Sequence, residues 1–316
     1  MASIHGIGDL GGNDNRNNNN GIGFYRIMGG GGENNDENAV FYQNAYKGDP
    51  RKQSFCSLLK DTICPLFSFK SFTFVIIIIN TIFFIVTLCV GGIDPSKTVE
   101  FLPVKDSVLK KFGALNSKNL TSNIPLNLYI WLTNNFLHLN FLHILYNIFF
   151  ILILGSVSEY MIKPLKLILI YIACGILGSL FSVLTQPRTF SVGASVSVCA
   201  IIGLQFAFMT HKYRTLKKIF GGCGSIFWAF CLAYFTLLAI FNSEFFADGS
   251  DKAVNSVRPL GGLLTGYFFS TPLLKIENDD KSIIFDYKIW RWISIIIIIS
   301  FTLCGFCCVY LLDSYK

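Results

Sequence analysis

The chain has 316 residues, 52% of them hydrophobic and 14% charged, with a formal net charge of +7. That balance excludes an ordinary soluble domain and fits an all-α polytopic membrane protein, because only helices let long apolar runs satisfy their backbone polar groups in lipid. The positive charge lies largely between apolar runs, where it sets orientation; with no basic groove interleaved with aromatic residues, no nucleic-acid partner is expected.

Residues 1–50 carry Asn17 to Asn20 and Gly29 to Gly32, a composition with too little apolar surface to offset chain entropy, and are expected to form a disordered cytosolic leader. The basic juxtamembrane segment 51–70, with Arg51, Lys52, Lys60 and Lys70, holds that side in the cytosol. Cys56 and Cys64 within it are candidates for acylation, with a bystander role favoured. No removable signal peptide is evident, so the first span, Ser71 to Ile93, is expected to direct insertion. Asp94 to Asn135 is a long outer connection, mildly amphipathic from Val104 to Phe112, and loops of this length usually have a function. Its Asn119-Leu120-Thr121 triplet has the pattern of a glycosylation acceptor, a pattern common by chance.

The second span opens on His138, His143 and Asn147 and ends near Gly155 to Glu159. Lys163 and Lys166 mark a return to the cytosol, Leu165 to Thr185 is a third span, and Gln186-Pro187-Arg188 an outer turn. The fourth helix contains Ser195 and is predicted to end near Met209, before His211, Lys212, Arg214, Lys217 and Lys218; those cations set Ser195 toward the outer leaflet. Starting at Ala194 the segment is short for a span, which places the serine part-way into the membrane, beneath a loop lining a protein-enclosed cavity. A fifth span is predicted from Ile219 to Phe241, followed by an outer loop with Glu244, Asp248 and Asp251. Leu260 to Gly266 opens a sixth, and Ile293 to Leu312 is a seventh. Seven of the ten cysteines, Cys174 and Cys199 among them, sit in or beside apolar segments without zinc-type spacing, so they read as small core residues and neither metal nor cofactor is expected.

Ser195, Cys199 and Gly203 recur every four residues and leave one helix face nearly bare; the face of Gly262 and Gly266 is its natural partner. Small residues alone usually mean helix packing. His143 and Asn147 share a face of the second helix, and such polar groups in an apolar helix turn toward an interior partner. At one depth with Ser195 they make an acyl-transfer constellation: the hydroxyl attacks, while His143, Asn147 and the Ser195 backbone amide donate to the oxyanion.

These pieces together resemble the rhomboid family of intramembrane serine proteases: His138, His143 and Asn147, then Gly155 and Glu159, then Gly193-Ala194-Ser195, then Leu260-Gly261-Gly262. The resemblance covers roughly 71 to 270, and the span after the sixth resembles the eukaryotic six-plus-one arrangement. The Asn-rich leader adds a compositional pointer to an apicomplexan source. The resemblance implies a bundle of about seven transmembrane helices, with a six-helix core over 71–272 and a cytosolic loop plus added helix over 273–316. It also implies Ser195 as nucleophile, His143 and Asn147 as oxyanion donors, and the transmembrane helices of single-span membrane proteins, met within the lipid bilayer, as substrates. The family's general base is a histidine on the sixth span, at the position filled here by Pro259 in Arg258-Pro259-Leu260-Gly261-Gly262. Proline has no proton to exchange, Arg258 stays protonated, and His5 and His211 lie far from the outer leaflet. Tyr129-Ile130 replaces the family's first-loop Trp-Arg pair, and Cys199 stands where an aromatic residue often stacks on the catalytic imidazole. Three classes follow: an active intramembrane protease, an inactive homologue that binds and routes transmembrane clients, and a channel or transporter. The last is disfavoured by the absence of an inverted repeat and the scarcity of ionisable residues within spans.

Overall fold

The computed structural model describes residues 66–98, 100–122, 124–187, 189–220, 222–245, 257–275 and 286–312. The leader, most of the basic juxtamembrane segment with Cys56 and Cys64, and the loop with Asp248 and Asp251 lie outside them. The long helices are α1 (Phe72–Gly91), α2 (Phe141–Ile162), α3 (Pro164–Thr185), α4 (Ser195–His211), α5 (Gly222–Phe245), α6 (Arg258–Ser270) and α7 (Tyr287–Leu311). Among the described residues no strand forms, only isolated bridges joining Ile93 to Val104 and Leu115 to Ser191. α1, α2, α3 and α7 are long and apolar enough to cross a membrane; α4 is shorter, and a 14-residue stretch of α5, Gly224–Leu237, is apolar. The chain is an integral membrane protein.

Several helices start or end away from the predicted bounds, because apolar runs locate spans while caps and packing set ends. α4 continues to His211, and α5 runs on through Glu244, a residue expected in the following loop. α6 begins two residues before Leu260, with Pro259 in its first turn, where a missing N–H is tolerated. α7 begins six residues before Ile293 because Asp286 caps it, accepting from Lys288 N–H at 2.9 Å.

α4 sits at the centre, buried along almost its whole length. It runs parallel to α6, and the glycines decide how closely: a Cβ on Gly262 would overlap the Val196 carbonyl, one on Gly266 the Ala200 carbonyl, and one on Gly203 the Leu263 carbonyl. Cys199 belongs to the same contact, its Cβ 3.1 Å from where one on Gly262 would stand. α3 closes the other side, with Gly178 against Val196 and Gly262, and Gly175 making room for Ser197. In lipid such close backbone approach supplies the dispersion contacts that hydrophobic exclusion cannot.

α1 is fastened to α2 by a cap supplied from 86 residues away. Glu159 accepts from Phe72 N–H at 2.8 Å and from Thr73 N–H and Oγ1–H at 2.9 and 2.8 Å, while Gly155 lets Thr73 approach. A carboxylate on a helix N-terminus is charge-assisted and aligned with the dipole, stabilising by about 2–3 kcal/mol. α2 is interrupted at Ile151–Gly155 by a single π-helical turn, one turn below Asn147. α7 packs on α3 through Gly305 against Leu180 and is bonded at both ends, Trp131 to Tyr310 at 2.7 Å and Trp290 to Tyr267 at 3.1 Å.

The connection from Asp94 to Asn135 is a brace. Val108 and Leu109 of its short helix Asp106–Lys111 bury against Phe84, Leu137, Ile144 and Val192, which belong to four different segments. Its backbone bonds both segments that lead into α2 and α4: Val104 N–H to the Leu139 carbonyl at 2.8 Å, Phe141 N–H to the Phe101 carbonyl at 3.1 Å, and Leu115 with Ser191 in both directions at 2.8 and 3.0 Å.

Candidate active site

Asn140 starts the helix that carries both polar residues of α2. Its Oδ1 accepts from His143 N–H at 2.8 Å, and its Nδ2 donates to Glu100 of the connection between α1 and α2 at 2.7 Å. The turn before it places the Leu139 N–H 3.4 Å from His143 Nδ1. An N–H facing Nδ1 makes that nitrogen the acceptor, so in the neutral ring the proton resides on Nε2. His138, fully buried, stacks edge-on against His143 with ring centroids 5.3 Å apart and its Nδ1 3.1 Å from the Phe136 carbonyl.

Gly193 is where the two halves of the site meet. Its φ of 124° lies in the region glycine alone adopts freely, and its N–H donates to the Asn134 carbonyl at 2.9 Å. A Cβ there would stand 2.8 Å from His143 Nε2 and 3.6 Å from Ser195 Oγ, so imidazole and hydroxyl flank one small space that only glycine leaves open. Ser195 is half-buried and His143 also retains some exposure, whereas the residues on either side of Ser195 are buried. Ser195 is the first residue of α4, and Ala194 before it supplies no side-chain cap. The first N–H groups of the helix therefore have no intrahelical partner and point, with the positive end of the dipole, toward that space. At 17 residues α4 is about 25 Å long, short of the roughly 30 Å hydrocarbon layer.

Asn147 is buried one turn below His143, and its Nδ2 donates to the His143 carbonyl at 2.9 Å. It joins the site through its own helix rather than by a hydrogen bond to Ser195. The expected spacing is therefore present, while the amide is engaged locally.

The α6 side of the site differs from a serine–imidazole pair. Carried one turn back from the Gly262–Val196 contact, the parallel register of α4 and α6 brings residues 258–259 level with 191–195. Pro259 shares the α4-facing side with Gly262 and Gly266, three and seven positions on, and is buried there. Arg258 is engaged by the segments that precede α2 and α4. Its guanidinium, 2% exposed, donates to Ser191 Oγ at 2.9 Å and to the side-chain oxygens of Asn134 and Asn135, the second at 3.3 Å. Ser179 of α3 adds a hydrogen bond to Asn134 at 3.0 Å. Arg258 thus bolts the N-terminal end of α6 to the segments before α2 and α4 through neutral partners, and is occupied as a donor rather than poised as a base. Asn134, Asn135, Ser179 and Ser191 were not singled out from the sequence. The signal available was the adjacent Asn pair at the edge of an apolar run, a costly pair unless it faces polar partners inside. Lys252, which could serve as a base only after an extreme pKa shift, lies outside the described residues.

Comparison with known proteins bears on the family of the chain. The family model described as Rhomboid domain matches residues 125–276, a range that holds every residue discussed here from α2 to α6. Rhomboid-like protease 1 of Toxoplasma gondii is 30% identical over 225 residues, 69% of this chain and 69% of that protein. RHOMBOID-like protein 6, mitochondrial, of Arabidopsis thaliana is 28% identical over 183 residues, 57% of this chain and 54% of its own length. Inactive RHOMBOID-like protein 8 of the same plant is 28% identical over 130 residues, 40% of this chain and 36% of its own. With that domain spanning its central helices and a relative matched over more than two thirds of both chains, the protein belongs to the rhomboid family.

Proposed function

We propose that this chain admits transmembrane segments of single-span membrane proteins to the space at Gly193 and Ser195, and that it binds them without hydrolysing them at a useful rate. The observation that carries this reading is Pro259 on the α4-facing side of α6 at the level of the serine. Ser195 stands in the nucleophile position, with His143 Nε2–H and the free amides of the α4 N-terminus as oxyanion donors and Asn147 supporting His143. A donor-rich pocket with no proton acceptor stabilises a bound peptide carbonyl without activating the hydroxyl. That the family has a relative named inactive agrees with this. The core is read as 71–272, with 273–316 adding a loop and α7. The basic residues at the α2–α3 turn and after α4 set that end in the cytosol, and hence Ser195 near the outer leaflet of a secretory-pathway or plasma membrane.

A second reading keeps the enzyme active with His143 itself as base, since its ring and Ser195 Oγ flank the same point. It requires the proton to move to Nδ1, where the Leu139 N–H already points. Two donors would then face each other, so the first reading is preferred.

The test is capture. Leu260, exposed on α6 beside Pro259, is replaced by a photoreactive residue in the otherwise intact protein. Irradiation in membranes is expected to give adducts enriched in single-span proteins, unchanged by Ser195→Ala. Adducts with lipid alone would sink the client reading.

A further inference from the structure

We propose that Glu100, in the connection between α1 and α2, is a positioning residue for His143: it fixes which end of the Asn140 amide faces α2, and through that end the tautomer of the imidazole. The inference rests on, and deepens, the reading of His143 as a donor to a bound carbonyl. Its geometry is a short chain of contacts. Glu100 Oε2 accepts from Asn140 Nδ2 at 2.7 Å, Asn140 Oδ1 accepts from the His143 N–H at 2.8 Å, and the Leu139 N–H, one residue before Asn140, faces His143 Nδ1 at 3.4 Å.

An asparagine amide can turn over, exchanging oxygen for nitrogen with almost no change of shape. Here both neighbours forbid it. A carboxylate only accepts, so the NH2 must face Glu100; a backbone N–H only donates, so the oxygen must face His143. The charge of the carboxylate strengthens the first of these bonds. Turned the other way, the amide would set NH2 against N–H, the first turn of α2 would lose its cap, and the turn that presents the Leu139 N–H would be released. Asn140 is 3% exposed, which keeps water from replacing either contact.

Glu100 is itself held from both sides. Its N–H donates to the Lys97 carbonyl at 3.3 Å, and the Lys97 ammonium pairs with Asp106 at 3.3 Å. On the other side the Phe101 carbonyl accepts from Phe141 N–H, the Leu139 carbonyl accepts from Val104 N–H, and the rings of Phe101 and Phe141 meet edge-on at 5.3 Å. Between these contacts Leu102 is held at a φ of 51°, a conformation costly for any residue with a side chain. Strain of this kind persists only where the surroundings over-determine it. A carboxylate that merely faced solvent would need no such frame.

The experiment uses the full chain, isotopically labelled at the histidine ring nitrogens, in nanodiscs and under conditions where the ring is neutral; NMR reports which nitrogen carries the proton, and His143→Gln identifies the His143 signals. In wild type the proton is expected on Nε2. Glu100→Ala is expected to lower the ratio of the Nε2–H to the Nδ1–H form about 2- to 10-fold, the worth of one ordinary hydrogen bond. Asn140→Asp, which sets two carboxylates face to face, is expected to do the same. The double variant Glu100→Gln/Asn140→Asp is expected to restore the wild-type ratio, because donor and acceptor have only changed places: the new amide donates to the new carboxylate, whose other oxygen caps the His143 N–H. Should Glu100→Ala fail to fold, the isosteric Glu100→Gln, whose side chain can present either end, is expected to lower the ratio about 2-fold. A brace with no part in orienting the ring would lower the melting temperature of the single variants and leave the tautomer where it was. That result, or a double variant no better than Asn140→Asp, overturns the proposal. The readout needs no client, so its failure and that of client capture are told apart.

Discussion

Replacing Pro259 with histidine is expected to confer cleavage of a helix-destabilised transmembrane substrate on the reconstituted protein, roughly 10²- to 10⁴-fold above wild type, the usual contribution of a positioned general base. The position is favourable for geometric reasons. Residue 259 shares a side of α6 with Gly262 and Gly266, both of which touch α4, so an imidazole there projects at the level of Ser195. The substitution leaves Arg258 and its bonds to Asn134, Asn135 and Ser191 in place. It also falls in the first turn of α6, where proline contributes no hydrogen bond to lose. Activity gained this way should rise as pH passes about 6.5, because only the neutral ring accepts the serine proton, and should vanish with Ser195→Ala. Cys199 supplies no ring to hold the new imidazole, which favours the lower part of the range. A folded Pro259→His protein that captures clients and cleaves none would place the defect elsewhere in the groove.

The largest stability effect is expected at Gly266. Any side chain there overlaps the Ala200 carbonyl and backbone rather than a flexible group, and the neighbouring contacts at Gly262 and Gly203 are of the same kind. Relief requires α4 and α6 to separate along their whole interface. Gly266→Ala should therefore cost at or above the upper end of the ~1–3 kcal/mol seen for overpacked cores, and Gly266→Val should prevent folding. Separation of α4 and α6 also disturbs the fit of Gly193, which leads into α4, against His143, so client capture should fail together with stability. Thermal unfolding in a mild detergent checks this. An unchanged melting temperature for Gly266→Ala would mean that the two helices do not touch as described. Gly305→Ala is the natural comparison: its neighbours are the side-chain ends of Leu180 and Leu184, which can shift.

Residues that act through helix periodicity were legible before any coordinates. Ser195, Cys199 and Gly203 on one face, and Gly262 and Gly266 on another, announced a close contact that is present. His143 and Ser195 were expected at one depth, and both flank Gly193. Features that depend on pairing across long separations were not legible. Glu159 reads as the polar end of a span, and nothing local says that it caps a helix starting at Phe72. Leu115 and Ser191 carry no mark of their mutual hydrogen bonds, yet these fix the approach to Ser195. Arg258 reads as one more cation beside an odd proline, and its place among two asparagines and a serine appears only once three connections are brought together. Asn147 shows the limit of spacing arguments: the i, i+4 relation to His143 is as expected, but its amide is turned onto the carbonyl of that same residue.

In the proposed reading the Ser195 hydroxyl lies among donors with no group beside it able to take its proton. Labelling with a fluorophosphonate, which phosphonylates serine only when the hydroxyl is activated, tests this without requiring the right client. Intact-mass measurement of the purified wild-type protein is predicted to show no adduct at Ser195, and Pro259→His to show one. Stoichiometric labelling of wild type that disappears with His143→Ala would show an activated hydroxyl and make His143 the base.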